Sequence, residues 1–145
     1  MDTILLVDDD EDIALLLQMT LTKSQIPLSL QRTASVKEAI QYLTRQNQFL
    51  DKQKFPFPCV VLLDMKLPGD SGFELLQWIR EQSEFPTLPV VVWSGTEWVK
   101  EKEKAYEFGA SLYIPKPAHT FGFAAIITTL KELCDRKPAD IAATR

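Results

Sequence analysis

The chain is poor in the residues that build redox, zinc and nucleic-acid sites. It holds two cysteines, Cys59 and Cys134, and one histidine, His119, among 145 residues. A zinc centre typically draws on histidine and thiolate ligands, and no group of them gathers anywhere in this sequence. Cys59 lies in an apolar run and Cys134 on a helix-like segment, so both read as small buried hydrophobes rather than as a disulfide pair. Two isolated cysteines without a signal-peptide pattern point to a reducing, cytoplasmic setting. No apolar run approaches the roughly 20 residues needed to span a bilayer, so no membrane association is expected. Positive charge is in deficit as well. The formal net charge is -4, which argues against a general nucleic-acid-binding surface.

What is present is enough for one core. Hydrophobic residues make up 46% of the chain, and a domain of this size buries such a core without disulfides or structural metal. Short β-branched runs alternate with amphipathic helical stretches, and no repeat interrupts them. The apolar runs at 4–7, 28–32, 59–63, 90–93 and 112–114 read as strands. Helices are predicted after each strand, the first with Ile13, Leu16, Leu17 and Leu21 on one stripe. Ser35 to Glu38 reads as a capping box for the second. The fourth is expected over about 97–108, closed by Gly109, and the fifth carries Phe123, Ile126, Ile127, Leu130 and Cys134. A polar stretch at 44–58 containing Phe49, Phe55 and Phe57 is long for a compact domain, either an ordered excursion or a functional insertion. Strict alternation with right-handed crossovers predicts an α/β fold: a doubly wound, five-stranded parallel sheet of order 2-1-3-4-5, flavodoxin-like. The domain is expected over 1–135, with 136–145 a frayed tail.

The polar residues fall at the strand ends. Asp8 and Asp9, Asp64, Ser94 and Lys116 each follow directly on the apolar run of a different strand. In a parallel sheet those ends share one edge, the edge at which open α/β sheets bind ligands. Neighbouring first and third strands would bring Asp8, Asp9 and Asp64 into one pocket, where three carboxylates repel unless a cation neutralises them. Hard oxygen donors suit Mg2+ rather than zinc. Asp64, alone at the end of the central strand, is the best nucleophile; Asp8 and Asp9 are better placed to hold metal. Lys116 and Mg2+ would then offset charge on a phosphoryl group, and the Ser94 hydroxyl would donate to it. Each feature taken singly has a plainer reading. The aspartates at 8–10 would cap the first helix, Asp64 and Ser94-Gly95 would be turn residues, and Lys116 an exposed loop charge. Acid, acid, hydroxyl and ammonium on four ends of one sheet edge make the combination specific.

The stretches ILLVDDDEDI, VVLLDMKLPGDSGFELL, VVVWSG and ASLYIPKP resemble the motifs of the receiver domain of two-component response regulators, in the family's order and over nearly the whole chain. The resemblance implies that Asp64 is the phosphoacceptor and that Asp9 ligates Mg2+ directly, with Asp8 acting through water. It implies that the backbone carbonyl of Lys66 completes the protein's share of the metal shell. Ser94 matches the switch hydroxyl, Tyr113 the aromatic switch position, and Lys116 the phosphate-pairing lysine, whose bond to Pro117 is typically cis in the family. Lys66 and Thr96 match the positions that tune phosphoryl lifetime; neither is a carboxylate or amide that would aim a water, so a long-lived phosphoryl state is expected. The long 44–58 loop is similar to that of the small stand-alone regulators that partner bacterial phytochromes and related histidine kinases. Trp93 and Trp98 are bulky for their positions and read as core or interface packing.

The function implied is that of a phosphoacceptor signalling domain rather than an enzyme. A sensor histidine kinase, phytochrome-like by the loop, would phosphorylate Asp64. Readout through a downstream protein partner or a homodimer would follow on the fourth helix, fifth strand and fifth helix. The tail is too short for a DNA-binding unit. Two rivals stand beside this: a haloacid-dehalogenase-type phosphatase, which would want an aspartate where Lys66 stands, and a non-phosphorylated scaffold, which would want a broken acidic pocket.

Overall fold

Five apolar runs become five parallel strands, and the three central ones are buried on both faces, as a sheet covered by helices on each side requires. A computed structural model of the chain describes residues 1–67, 69–82, 84–85, 87–95, 99–116 and 121–136. The strands are β1 (Asp2–Val7), β2 (Leu28–Thr33), β3 (Val60–Asp64), β4 (Val90–Ser94) and β5 (Leu112–Pro115), in the order β2-β1-β3-β4-β5. This is the predicted order. Every residue of β3 and β4 is buried, which matches the unbroken hydrophobicity of those segments.

The helices are α1 (Glu11–Ser24), α2 (Val36–Leu43), α3 (Gly72–Glu81), α4 (Val99–Glu107) and α5 (Phe121–Asp135). They divide between the two faces. Leu5, Val7, Val61, Leu63, Val90 and Val92 point into a layer closed by α2, α3 and α4. Ile4, Leu6, Val60, Leu62, Val91 and Trp93 point into the layer of α1 and α5. Burying a Leu, Ile or Val side chain contributes about 2 kcal/mol, and the alternation supplies both layers from the same strands.

Local signals place the helix ends. Asp10 caps α1, its carboxylate accepting from the Asp12 and Ile13 amides, so the capping role belongs to the third aspartate of the run and releases the first two. Ser35 Oγ accepts from the Glu38 amide at 3.1 Å, as the capping motif predicts. Gly109, at φ 103°, closes α4, with the Ala110 amide donating back to Ala105. The expected start of α4 at Glu97, and Trp98, lie outside the described residues.

The 44–58 segment is an ordered excursion. It contains a short 3-10 turn, Asn47–Phe49, and folds Phe49 and Phe55 onto Tyr42 of α2 with ring centroids 5.0 to 6.0 Å apart. Tyr42 Oη donates to the Pro56 carbonyl at 2.7 Å. Burial, opposed only by the Arg45 charge, pushes the Tyr42 phenol up to about 12.

One expectation is overturned. Cys59 and Cys134 are a disulfide, with Cα atoms 5.1 Å apart at a sequence separation of 75. The reason is topological: α5 runs back across the sheet against the direction of β3, so its last turn lands on the residue just before that strand. The inference of a reducing setting from two separate cysteines loses its basis. Among the described residues, no helix is long and apolar enough to cross a membrane.

Candidate functional site

The strand register delivers the predicted polar residues to one edge. Val7 pairs with Leu63, Asp64 with Trp93, and Ser94 with Pro115. Asp8 therefore follows β1 beside the end of β3, and its amide extends the sheet by donating to the Thr33 carbonyl at 3.0 Å.

Asp8, Asp9 and Asp64 each offer a carboxylate oxygen within 4.8 Å of the others. Asp8 is 0% and Asp64 5% exposed, while Asp9 faces solvent. Lys116 reaches across from β5: its Nζ lies 3.0 Å from Asp8 Oδ2 and 3.3 Å from Asp64 Oδ2. The two buried carboxylates are held alike. Asp8 Oδ1 accepts from the Asp10 amide at 2.9 Å, and Asp64 Oδ1 from the Lys66 amide at 3.2 Å. Each thus has one oxygen tied to backbone and the other facing the shared ammonium. Arg32, on β2, donates to the Asp8 carbonyl at 3.1 Å.

This arrangement is electrostatically incomplete. Burial and the neighbouring Asp8 push the Asp64 carboxyl above the ordinary carboxylate range, against the opposing pull of Lys116 and the Lys66 amide. Burial alone would lower the Lys116 ammonium, but Asp8 and then Asp64 outweigh it and hold it above its usual value. Three carboxylates against one ammonium leave an excess of negative charge that a divalent cation would balance. An all-oxygen donor set fits a hard cation. The donor set is unlike a zinc centre: both cysteines are disulfide-bonded, and His119 lies outside the described residues.

The other predicted residues stand around this cluster. Ser94 is 1% exposed, and its carbonyl accepts from the Lys116 amide at 2.7 Å. Tyr113 is buried beneath α4; its Oη donates to Glu101 Oε1 at 3.2 Å, and its amide donates to Tyr106 Oη at 3.1 Å. Lys66 is exposed and pairs with Ser71 in an isolated antiparallel bridge that closes the turn after Asp64. Thr96 and Pro117, with the peptide bond expected to be cis, lie outside the described residues.

Sequence reasoning missed one residue that shapes the site. A Cβ on Gly72 would stand 2.6 Å from the Asp64 carbonyl oxygen and 3.0 Å from Met65 Cα. Only glycine lets the first turn of α3 lie this close to the Asp64 backbone. The PGDSG segment carried a turn signal, but nothing in it announced a tertiary contact.

Known proteins share this fold. The family model described as the response regulator receiver domain matches residues 4–128. The transcriptional regulatory protein GltR of Pseudomonas aeruginosa is 28% identical over 135 residues, 92% of this chain and 49% of its own length. The chain spans about half or less of the length of the curated relatives it matches. A response regulator in red light signaling of R. palustris superposes with a TM-score of 0.82 at 26% identity, over 90% of this chain and 91% of that one. The phosphorylated cyanobacterial phytochrome response regulator RcpA superposes at 0.79 with 27% identity, over 90% and 91%. With its sheet order, its acidic edge and a family match over most of its length, the chain belongs to the response regulator receiver domains of two-component systems.

Proposed function

We propose that Asp64 accepts a phosphoryl group from the phosphohistidine of a sensor histidine kinase, and that the acyl phosphate shifts the α4–β5–α5 surface between two protein-binding states. The observation that carries this reading is the convergence of three carboxylates within 4.8 Å, with a lysine ammonium on the two buried ones. In the transfer, an Asp64 carboxylate oxygen forms the new bond to phosphorus and the bond from phosphorus to the imidazole nitrogen breaks. Lys116 balances charge on the phosphoryl oxygens.

Asp9, Asp64 and the Lys66 carbonyl would hold Mg2+, with Asp8 acting through a bound water; the ion would supply charge neutralisation on the transferring group. Ser94 would donate its hydroxyl to a phosphoryl oxygen, and Tyr113 would follow by changing its hold on Glu101. Neither Lys66 nor Thr96 is a carboxylate or amide that would aim an attacking water, which favours a long-lived phosphoryl state. The likeness to a phytochrome response regulator supports a phytochrome-like kinase as donor. Readout would be by a downstream protein or a second copy of the chain, through a receiver unit over 1–135 followed by a tail. Lys66, standing where a dehalogenase-type phosphatase would want its acid–base aspartate, disfavours hydrolysis of generic phosphate esters.

Intact-mass measurement after incubation with acetyl phosphate and Mg2+ tests the reading. One phosphoryl adduct is expected on the wild-type chain and none on Asp64→Asn. An adduct that survives the substitution removes Asp64 as acceptor, and no adduct on the wild-type chain removes the function.

A further inference from the structure

Lys116 begins at the end of β5, yet its ammonium sits on Asp8 and Asp64, which belong to the ends of β1 and β3. Strand β4 lies between β3 and β5, so the lysine side chain has to cross it. Trp93 stands at the crossing, in register with Asp64 on one side and Ile114 on the other. Lys116 Nζ lies 5.4 Å from the centroid of the Trp93 ring, within the ~6 Å over which an aromatic face attracts a cation. From α5, Phe123 meets the same indole edge-on, with centroids 6.3 Å apart and planes at 78°. The helix fixes the ring on which the lysine rests.

Packing alone does not account for tryptophan at this position. The side chain is 0% exposed, and its Nε1 has no hydrogen-bond partner among the described residues. A buried donor without a partner costs free energy, a cost that leucine or phenylalanine would not carry. What tryptophan adds over either is the strongest aromatic face for a cation.

We propose that Trp93 is a positioning residue for Lys116: its ring face seats the ammonium where it neutralises Asp8 and Asp64. On the function proposed above, that is also where Lys116 meets the incoming phosphoryl group. Trp93 acts through the lysine. The lysine seat itself stands on geometry; only its consequence for phosphoryl transfer rests on the proposed function.

Two readouts test this. In nuclear magnetic resonance spectra of the full chain without metal or phosphoryl donor, ring current should displace the Lys116 ε-methylene protons upfield of their ordinary lysine position. The displacement should persist in Trp93→Phe and vanish in Trp93→Leu. With acetyl phosphate and Mg2+, the initial rate of phosphorylation should fall about 5-fold in Trp93→Leu and stay within about 2-fold in Trp93→Phe. In a Lys116→Met background, Trp93→Leu should have no further effect. Undisplaced Lys116 resonances in the wild-type chain overturn the proposal without recourse to any variant. So do equal losses in the two Trp93 variants, or a Trp93→Leu loss that persists without the lysine. If the wild-type chain takes no phosphoryl group at all, the proposed function fails while the spectra still decide the seat.

Discussion

Reducing the Cys59–Cys134 disulfide should cost this fold a large part of its stability. The bond joins the residue before β3 to the last turn of α5 and closes a loop of 75 residues. Cross-linking a loop of that length removes conformational entropy from the unfolded chain worth about 4 kcal/mol at 25 °C. That figure is an upper bound, because residual structure in the unfolded chain absorbs part of the effect. The helix does not depend on the bond for its position. Ile126, Ile127, Leu130 and Leu133 still pack it against the sheet, so reduction should leave the native structure and lower its melting temperature. For a domain of this size a loss of that order corresponds to about 12 °C. The assay is thermal unfolding followed by far-ultraviolet circular dichroism, with and without a dithiol reductant. Intact mass after thiol alkylation confirms the redox state. Cys134→Ser should melt with the reduced protein and show no response to the reductant. Equal melting temperatures for the oxidised and reduced chains, or free thiols in protein never exposed to reductant, would refute the reasoning.

Three further outcomes follow from the site and its supports. The Asp64 carboxyl is pushed upward, first by burial and then by Asp8, so its folded-state value exceeds its unfolded one. Its favourable contribution is then complete below the ordinary carboxylate value of ~4 and is lost as pH rises through the higher folded value. Melting temperature of the metal-free protein should fall across that interval; Asp64→Asn should flatten the fall, and a variant as steep as wild type would count against the assignment. Gly72→Ala places a methyl group 2.6 Å from the Asp64 carbonyl oxygen, which should destabilise by about 1–3 kcal/mol and, on the function proposed here, slow phosphorylation by displacing Asp64; unchanged denaturant midpoints would contradict the close approach. Tyr42→Phe removes the 2.7 Å bond to the Pro56 carbonyl, a loss of about 1 kcal/mol. In ultraviolet titration the same variant should lose an ionisation at about 12, and a phenol titrating at the ordinary tyrosine value would mean that the 44–58 excursion does not bury it.

Much of the site was legible because each of its groups ends a run of hydrophobic residues. Asp8, Asp64 and Lys116 are where β-branched or leucine-rich segments stop, and parallel strands bring such stops to one edge. The run of three aspartates was ambiguous between cap and ligand until the fold separated them, giving Asp10 to the helix and leaving Asp8 and Asp9 at the pocket. The length of the 44–58 segment was visible, but not its order, which comes from Tyr42 on a preceding helix. What stayed hidden depends on contacts between elements far apart in sequence. No local pattern says that Cys134 arrives over Cys59, that Gly72 lies against the Asp64 backbone, or that the lysine stem passes over Trp93. Trp93 reads as core from its strand, and core it is. Its second neighbour becomes apparent only once β4 is known to lie between β3 and β5.

Alternation along the strands divides the labour at this edge. Ile4 and Leu6, Val60 and Leu62, and Val91 and Trp93 line the layer of α1 and α5; the same two-residue period carries Asp8, Asp64 and Lys116 toward that side. Leu5 and Val7, Val61 and Leu63, Val90 and Val92, with Tyr113, line the opposite layer, and Ser94 continues that series. Charge therefore collects on one side while Ser94 and Tyr113 belong to the other. The Lys116 amide joins them at the edge itself by donating to the Ser94 carbonyl at 2.7 Å. A single step along β4, from Trp93 to Ser94, passes from the residue beneath the ammonium to the residue facing the α4 layer. In that layer Tyr113 holds Glu101. On the function proposed here, a change of charge at Asp64 needs no movement of the buried β3 strand to be felt at α4, because adjacent residues of β4 already face both ways.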